Sequence, residues 1–250
     1  MKLILFDVDG TLTEPRKVVQ KEMIDCLVKL KNCPDVDIGF VGGSDLEKQI
    51  EQLKEENFHL FDWRFSENGL LAYKNETCIF KGSFVDELGE KHFKKLVNIC
   101  LSVMSNTDCP VKRGTFIEYR TGMINICPVG RQCTQEERDE FYEFDIKNKT
   151  REKMISIIKN QWNDYISQET CEITPIKFSI GGQISADVFP EEWDKTFCLK
   201  FVENEYDEIH FFGDKTMKGG NDYEIYNDNR VIGHHVSKYQ DTIDILTKMF

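Results

Sequence analysis

No stretch of this chain approaches the roughly 20 consecutive apolar residues that a membrane helix requires. The N-terminus runs directly into a strand-like segment and lacks the charged and apolar layout of a signal peptide. These two absences lead us to expect a cytoplasmic protein with no membrane partner. There is no Cys-x-x-Cys pair among the nine cysteines (26, 33, 78, 100, 109, 127, 133, 171 and 198). An odd, irregularly spaced set argues against a disulfide framework and against a zinc site, leaving reduced and mostly buried thiols. Positive charge is also short: 32 basic residues stand against 44 acidic ones, a formal net charge of -12. Such a surface repels nucleic acid and favours a small-molecule role. An anionic substrate could be held only by a local basic cluster.

What is present reads as two styles of fold. Leu3 to Phe6 is a continuous apolar run, the pattern of a strand covered on both faces. Val19, Met23, Leu27 and Leu30 then recur at helical spacing. Ile38 to Val41 reads as a second strand, ending at Gly42-Gly43-Ser44-Asp45, and Leu46, Ile50 and Leu53 mark another helix. Strand, helix, strand, helix implies a parallel, Rossmann-like α/β sheet. The middle differs. A helix around Phe93 to Met104 precedes strand-like runs at Thr115 to Tyr119 and Met123 to Cys127. Thr134 with Glu137 reads as a capping box opening a helix, and Met154, Ile157, Ile158 and Trp162 mark a longer helix. Strands follow near Lys177 to Ile180 and Ile184 to Val188. This predicts an inserted α+β cap with an antiparallel sheet over 82–189, the core being 1–81 and 190–250. Ile209 to Phe212 returns to a buried strand. Glu67-Asn68-Gly69 reads as a hairpin turn, and the five histidines lack partners at catalytic spacing.

Ligands of open parallel sheets bind at the carboxyl ends of strands, and three such ends are polar here. In Asp7-Val8-Asp9-Gly10-Thr11, alternation points Asp7 and Asp9 to one side, where two carboxylates repel unless a cation or proton intervenes. Taken alone the pair reads equally as an acidic turn. Ser44 can donate to a phosphoryl oxygen or cap a helix. Asp214, beside Gly213 and before Gly219-Gly220-Asn221-Asp222, suits a hard, oxygen-ligated cation or a glycine-rich turn. Lys195, in Trp193-Asp194-Lys195-Thr196, can neutralise phosphate or be a surface lysine.

In this order the four pieces resemble the haloacid dehalogenase-type (HAD) phosphotransferase superfamily. The resemblance implies Asp7 as nucleophile, Asp9 as general acid and base, and Ser44 and Lys195 holding the phosphoryl group. It also implies a Mg²⁺ site of Asp7, the Asp9 carbonyl and Asp214, supported by Asn221 or Asp222. An anionic carboxylate can approach a phosphate dianion only when such positive charge screens it.

Three of the eight arginines, Arg113, Arg120 and Arg131, bunch in the expected cap. Arginine grips phosphate bidentately. A mutase must hold two phosphates, one transferring and one anchoring the sugar. Longer strings, RGTFIEYRTGM, FSIGGQISADVFP and FFGDKTMKGGND among them, are similar to those of eukaryotic-type phosphomannomutases. That resemblance implies that Arg113, Arg120, Arg131, Ser185 and Asp187 bind hexose phosphate, with Arg16 contributing from the core. It implies a second cation near Asp228 and the Tyr226 carbonyl (Asp228 alone reads as a surface loop residue), and a homodimer through the cap. It further implies a mannose or glucose 1,6-bisphosphate activator, a cap that closes to exclude water, and a product destined for GDP-mannose. The rivals are a sugar-phosphate phosphatase on the same scaffold and a non-catalytic sugar-phosphate sensor.

Overall fold

The N-terminal apolar run becomes β1 (Lys2–Phe6), the centre of the first of two units in a computed structural model describing residues 1–250. That unit comprises Met1–Lys81 and Glu192–Phe250, and the second is Gly82–Glu191. After β1 come α1 (Lys21–Lys31), β2 (Val36–Val41), α2 (Leu46–Leu53), β3 (Trp63–Ser66), β4 (Leu71–Lys74) and β5 (Thr77–Lys81). The second unit holds α3 (Phe84–Leu88), α4 (Glu90–Asn106), β6 (Ile117–Arg120), β7 (Met123–Ile126), α5 (Gln135–Asn148), α6 (Thr150–Ile166), β8 (Ile176–Gly181) and β9 (Ser185–Pro190). The chain then returns through β10 (Glu208–Gly213), α7 (Tyr223–Tyr226), β11 (Ile232–His235) and α8 (Tyr239–Met249).

The core sheet runs β11-β10-β1-β2-β3-β4-β5, with β11 to β3 parallel and β4 and β5 added antiparallel. β1 is apolar throughout because both of its faces are covered. Ile4 and Phe6 join Met23, Leu27, Leu30 and Leu246 on one side, and Leu3 and Leu5 join Leu199, Val202 and Ile225 on the other. Each such fully buried side chain contributes about 1.5–3 kcal/mol. Phe6 is in register with both Phe40 and Phe212. The ends of β1, β2 and β10 therefore emerge side by side, and this positions the site.

The second unit carries an antiparallel sheet ordered β6-β7-β9-β8. Ile124, Ile126, Ala186 and Val188 are fully buried on one face. Asn125, Ser185 and Asp187 alternate onto the other, as the two-residue period of a strand requires. α4 and α6 pack against each other. The capping box at Thr134 and Glu137 is present. No helix is long and apolar enough to cross a membrane.

The structure corrects several local expectations. Pro190 and Glu191 belong to the second unit, because Pro190 ends β9 opposite Ile176 and the Glu191 amide donates to Pro175. In α6 the buried stripe is Met154, Ile155, Ile158 and Trp162, while Ile157 is exposed. In α2 the buried side chains include Gln49 and Gln52, and Leu46 and Ile50 are only half-buried. Glu67-Asn68-Gly69 does link the antiparallel β3 and β4, yet as a helical turn with three consecutive positive φ values of 47°, 62° and 106°.

Candidate active site

Asp7 is the first residue beyond β1, only 4 % exposed, with its amide donating to the Phe212 carbonyl at 2.9 Å. Lys195 opens a 3₁₀ turn preceded by Asp194, whose carboxylate caps it by accepting from the Thr196 amide. A lysine is almost never fully buried without a partner, and Lys195, 1 % exposed, has two. Its ammonium donates to Asp7 Oδ1 and, at 2.6 Å, to Asp222 Oδ1. Asp222 Oδ2 accepts from the Lys215 amide at 3.0 Å. Carboxylate oxygens of Asp7, Asp214 and Asp222 lie within 4.8 Å of one another.

With all three carboxyls ionised, as a metal site requires, three carboxylates against one buried ammonium leave a deficit of two positive charges. Burial pushes the Asp7 carboxyl up to about 7, with Lys195 opposing and Asp222 adding to the rise. Burial also raises Asp214, against the pull of Lys215. For Lys195, burial disfavours the charge, but Asp7 and Asp222 outweigh it and hold the ammonium above the usual lysine range. Asp214 Oδ1 is buried without any hydrogen-bond partner, and an orphaned carboxylate oxygen is costly. An all-oxygen donor set with this deficit fits a hard divalent cation such as Mg²⁺. Gly10 makes the approach possible: at φ 82°, an added Cβ would lie 2.4 Å from Asp214 Oδ2.

Asp7 and Asp9 border one cavity of about 130 Å³ together with Ser44, Gln49, Gln52 and Asn221. At roughly 30 Å³ per water it has room for about four waters, a phosphoryl-sized space. The Asp9 carboxylate stands outside the three-carboxylate cluster. Its Oδ1 accepts from the Arg16 amide and from Gln52 Nε2, both at 2.7 Å. Asp45, not Ser44, caps α2, accepting from the Lys48 amide at 2.9 Å, which leaves the Ser44 hydroxyl to the cavity. The Glu67–Gly69 turn braces this segment: Glu67 and Asn68 amides donate to Ser44 and Gly42 carbonyls at 3.0 and 2.9 Å. Of the two candidates for the supporting ligand, Asp222 joins the cluster, and exposed Asn221 only lines the cavity. The Arg16 side chain is exposed.

Asp228 is not brought to this cluster. Its oxygens accept from Arg230 Nε and Nη2, both at 2.8 Å, which holds its carboxyl below the usual range. A guanidinium thus already neutralises the carboxylate expected to bind a second cation near Tyr226.

In the second unit, strand register places Glu118, Asn125 and Asp187 in one row. Asn125 links three of the expected substrate-binding residues. Its amide donates to Ser185 Oγ at 3.0 Å and Asp187 Oδ1 at 2.6 Å, and its carbonyl accepts from Arg131 Nη1 at 2.8 Å. Glu118 pairs with both Arg131 and Arg120. Arg113 stands apart, paired with Glu137 of the capping box. Sequence reasoning missed Gln49, Gln52, Glu118 and Asn125. For the two glutamines a signal existed, since both lie on the buried side of an amphipathic helix.

A model of the eukaryotic phosphomannomutase family matches residues 23–250. The chain is 53% identical over 252 residues to a phosphomannomutase of Schizosaccharomyces pombe, covering 99% of this chain and 94% of that protein. It is 50% identical over 249 residues to one of Saccharomyces cerevisiae, with the same coverages. Among solved structures it resembles an Aspergillus fumigatus trehalose-6-phosphate phosphatase (TM-score 0.64, 14% identity, 99% and 92% coverage). A second is a HAD subclass IIB sugar phosphatase (TM-score 0.54, 16% identity, 98% and 91% coverage). At these identities the two structures speak for the fold, a HAD-type core with an inserted cap. With nearly the whole chain aligned at about half identity, the chain belongs to the eukaryotic phosphomannomutase family.

Proposed function

We propose that this chain interconverts mannose 6-phosphate and mannose 1-phosphate through an aspartyl phosphate on Asp7 and a hexose 1,6-bisphosphate. The observation that carries this reading is the buried Asp7–Lys195 pair within a carboxylate cluster that lacks two positive charges. Asp7, Asp214 and the Asp9 carbonyl would hold Mg²⁺, with Asp222 in support. When bound, the ion supplies charge that screens the carboxylate from the phosphate and stabilises the phosphoryl oxygens.

Asp7 attacks phosphorus of the bisphosphate activator. The bond from phosphorus to the sugar oxygen breaks, and Asp9 gives that oxygen its proton. In the next step Asp9 takes the proton from the free hydroxyl of the monophosphate, whose oxygen removes the phosphoryl group from Asp7. The bisphosphate so formed reorients and returns its other phosphate to Asp7. Gln52 and the Arg16 amide hold one Asp9 oxygen, so the other is left for proton transfer. Ser44 donates to the transferring group, and Lys195 fixes the nucleophile. Arg120, Arg131, Ser185 and Asp187 bind the sugar and its non-transferring phosphate, with Arg113 and Arg16 assisting. The product would feed GDP-mannose synthesis, and glucose phosphates would be handled by the same chemistry.

A phosphorus NMR time course tests this, with mannose 1-phosphate, Mg²⁺ and a catalytic amount of hexose 1,6-bisphosphate. Mannose 6-phosphate should accumulate to equilibrium. Growth of inorganic phosphate ahead of it would select a phosphatase instead.

A further inference from the structure

Away from the catalytic carboxylates, the cap gathers three side chains of metal-ligating type. His92 lies in the first turn of α4, and Glu169 and Cys171 follow the C-terminus of α6. Their ligand atoms all lie within 4.8 Å of one another. Cys171 Sγ is 3.8 Å from His92 Nε2. A tetrahedral zinc ion bound by thiolate and imidazole would hold those two atoms about 3.6 Å apart, given its usual bond lengths.

The imidazole is already set as a ligand. His92 Nδ1 lies 2.7 Å from the Tyr165 hydroxyl. Donation from Nδ1–H to that hydroxyl is the tautomer that a metal ligand at Nε2 requires. In it Nε2 keeps its lone pair, beside the thiol. A second hydrogen bond of this kind on the ring is how metal-binding histidines are oriented. Lys91, 2.7 Å from Glu169 Oε2, favours the ionised carboxylate. Cys171 is exposed, so the site is accessible.

We propose that His92 Nε2, Cys171 Sγ and a Glu169 carboxylate oxygen form a three-ligand site for a zinc-class divalent ion, with solvent as the fourth ligand. A nitrogen, sulfur and oxygen set suits such an ion and not Mg²⁺. Cys171 binds as the thiolate, its proton passing to solvent. The ion would tie the start of α4 to the segment beyond α6, and the site shares no residue with the carboxylate cluster.

The probe is Co²⁺, added to the full-length protein in saturating Mg²⁺ so that oxygen-ligand sites are occupied. A thiolate-to-cobalt charge-transfer absorption should saturate at about one equivalent, as expected for a single site, and Zn²⁺ should displace it. Cys171→Ser should abolish the band, and His92→Ala should weaken Co²⁺ binding tenfold or more, with circular dichroism unchanged for both. No band in the wild-type protein overturns the proposal. A band that survives Cys171→Ser places the metal on another cysteine and overturns it too. Undiminished affinity in His92→Ala reduces the site to a lone surface thiol and is equally fatal to it.

Discussion

Replacing Asp7 by Asn should destroy turnover and yet stabilise the metal-free protein at pH 8. In the fold the Asp7 carboxyl keeps its proton up to about pH 7, because burial disfavours the charge more than Lys195 favours it. In the unfolded chain the same group ionises near 3.9. The gap of about three pH units, at 1.36 kcal/mol each, makes the ionised native state costlier by about 4 kcal/mol at pH 8. The sign follows from linkage. A folded-state value raised above the unfolded one gives stability that is whole below about pH 4. It falls as pH climbs and is lost by about pH 7 to 8. Asn removes that loss and leaves Lys195 its second partner, Asp222, at 2.6 Å. The Lys195 ion pair is already contained in the raised Asp7 value, and the Asn amide oxygen can still accept from Lys195. The net gain for Asp7→Asn at pH 8 is therefore up to about 4 kcal/mol, or several degrees in Tm for a chain of this size. Urea unfolding in EDTA at pH 5 and pH 8 measures it. Mg²⁺ should reverse the order, stabilising the wild-type protein far more than the variant. A wild-type protein at least as stable as Asp7→Asn in EDTA at pH 8 would refute the electrostatic account of this cluster.

Asp7→Asn should also fail to form an acid-stable, hydroxylamine-labile phosphoenzyme, and near-normal labelling of the variant would move the nucleophile elsewhere. EDTA should silence mutase activity and Mg²⁺ restore it, whereas full activity in a verified metal-free preparation would contradict the carboxylate cluster's proposed role. Arg131→Ala should cost mutase activity about 2–4 kcal/mol, as for a lost charge-assisted contact. Slow Asp7-dependent hydrolysis of acetyl phosphate, which has no second phosphate, should barely change, and equal losses would assign Arg131 to the transferring group or the fold. Gln52→Ala should lower kcat about tenfold with KM nearly constant, the worth of one hydrogen bond to a carboxylate. A loss confined to KM would place Gln52 on the substrate instead of on Asp9.

Much of the core was legible in the chain itself. The apolar run Leu3 to Phe6 and its counterpart Ile209 to Phe212 read as strands covered on both faces. Their polar sequels, Asp7 and Asp214, then had to emerge at the carboxyl edge of a parallel sheet. The cap's strands were visible as short strand-like runs and α5 from its capping box. These signals are local, because side-chain periodicity states which face of one element is buried.

Tertiary structure decided everything that depends on which elements become neighbours. Asp222 rather than Asn221 joins the carboxylates, since the turn after β10 buries one and exposes the other. Gln52 meets Asp9 across 43 residues, and Asn125 meets Asp187 across 62. The spacing of the cysteines argued against a zinc site, yet His92 and Cys171, 79 residues apart, come together where α4 and α6 pack. Lys195 reaches Asp7 over 188 residues only because β10 lies beside β1. Periodicity carries no information about partners at such distances; strand order and helix packing do.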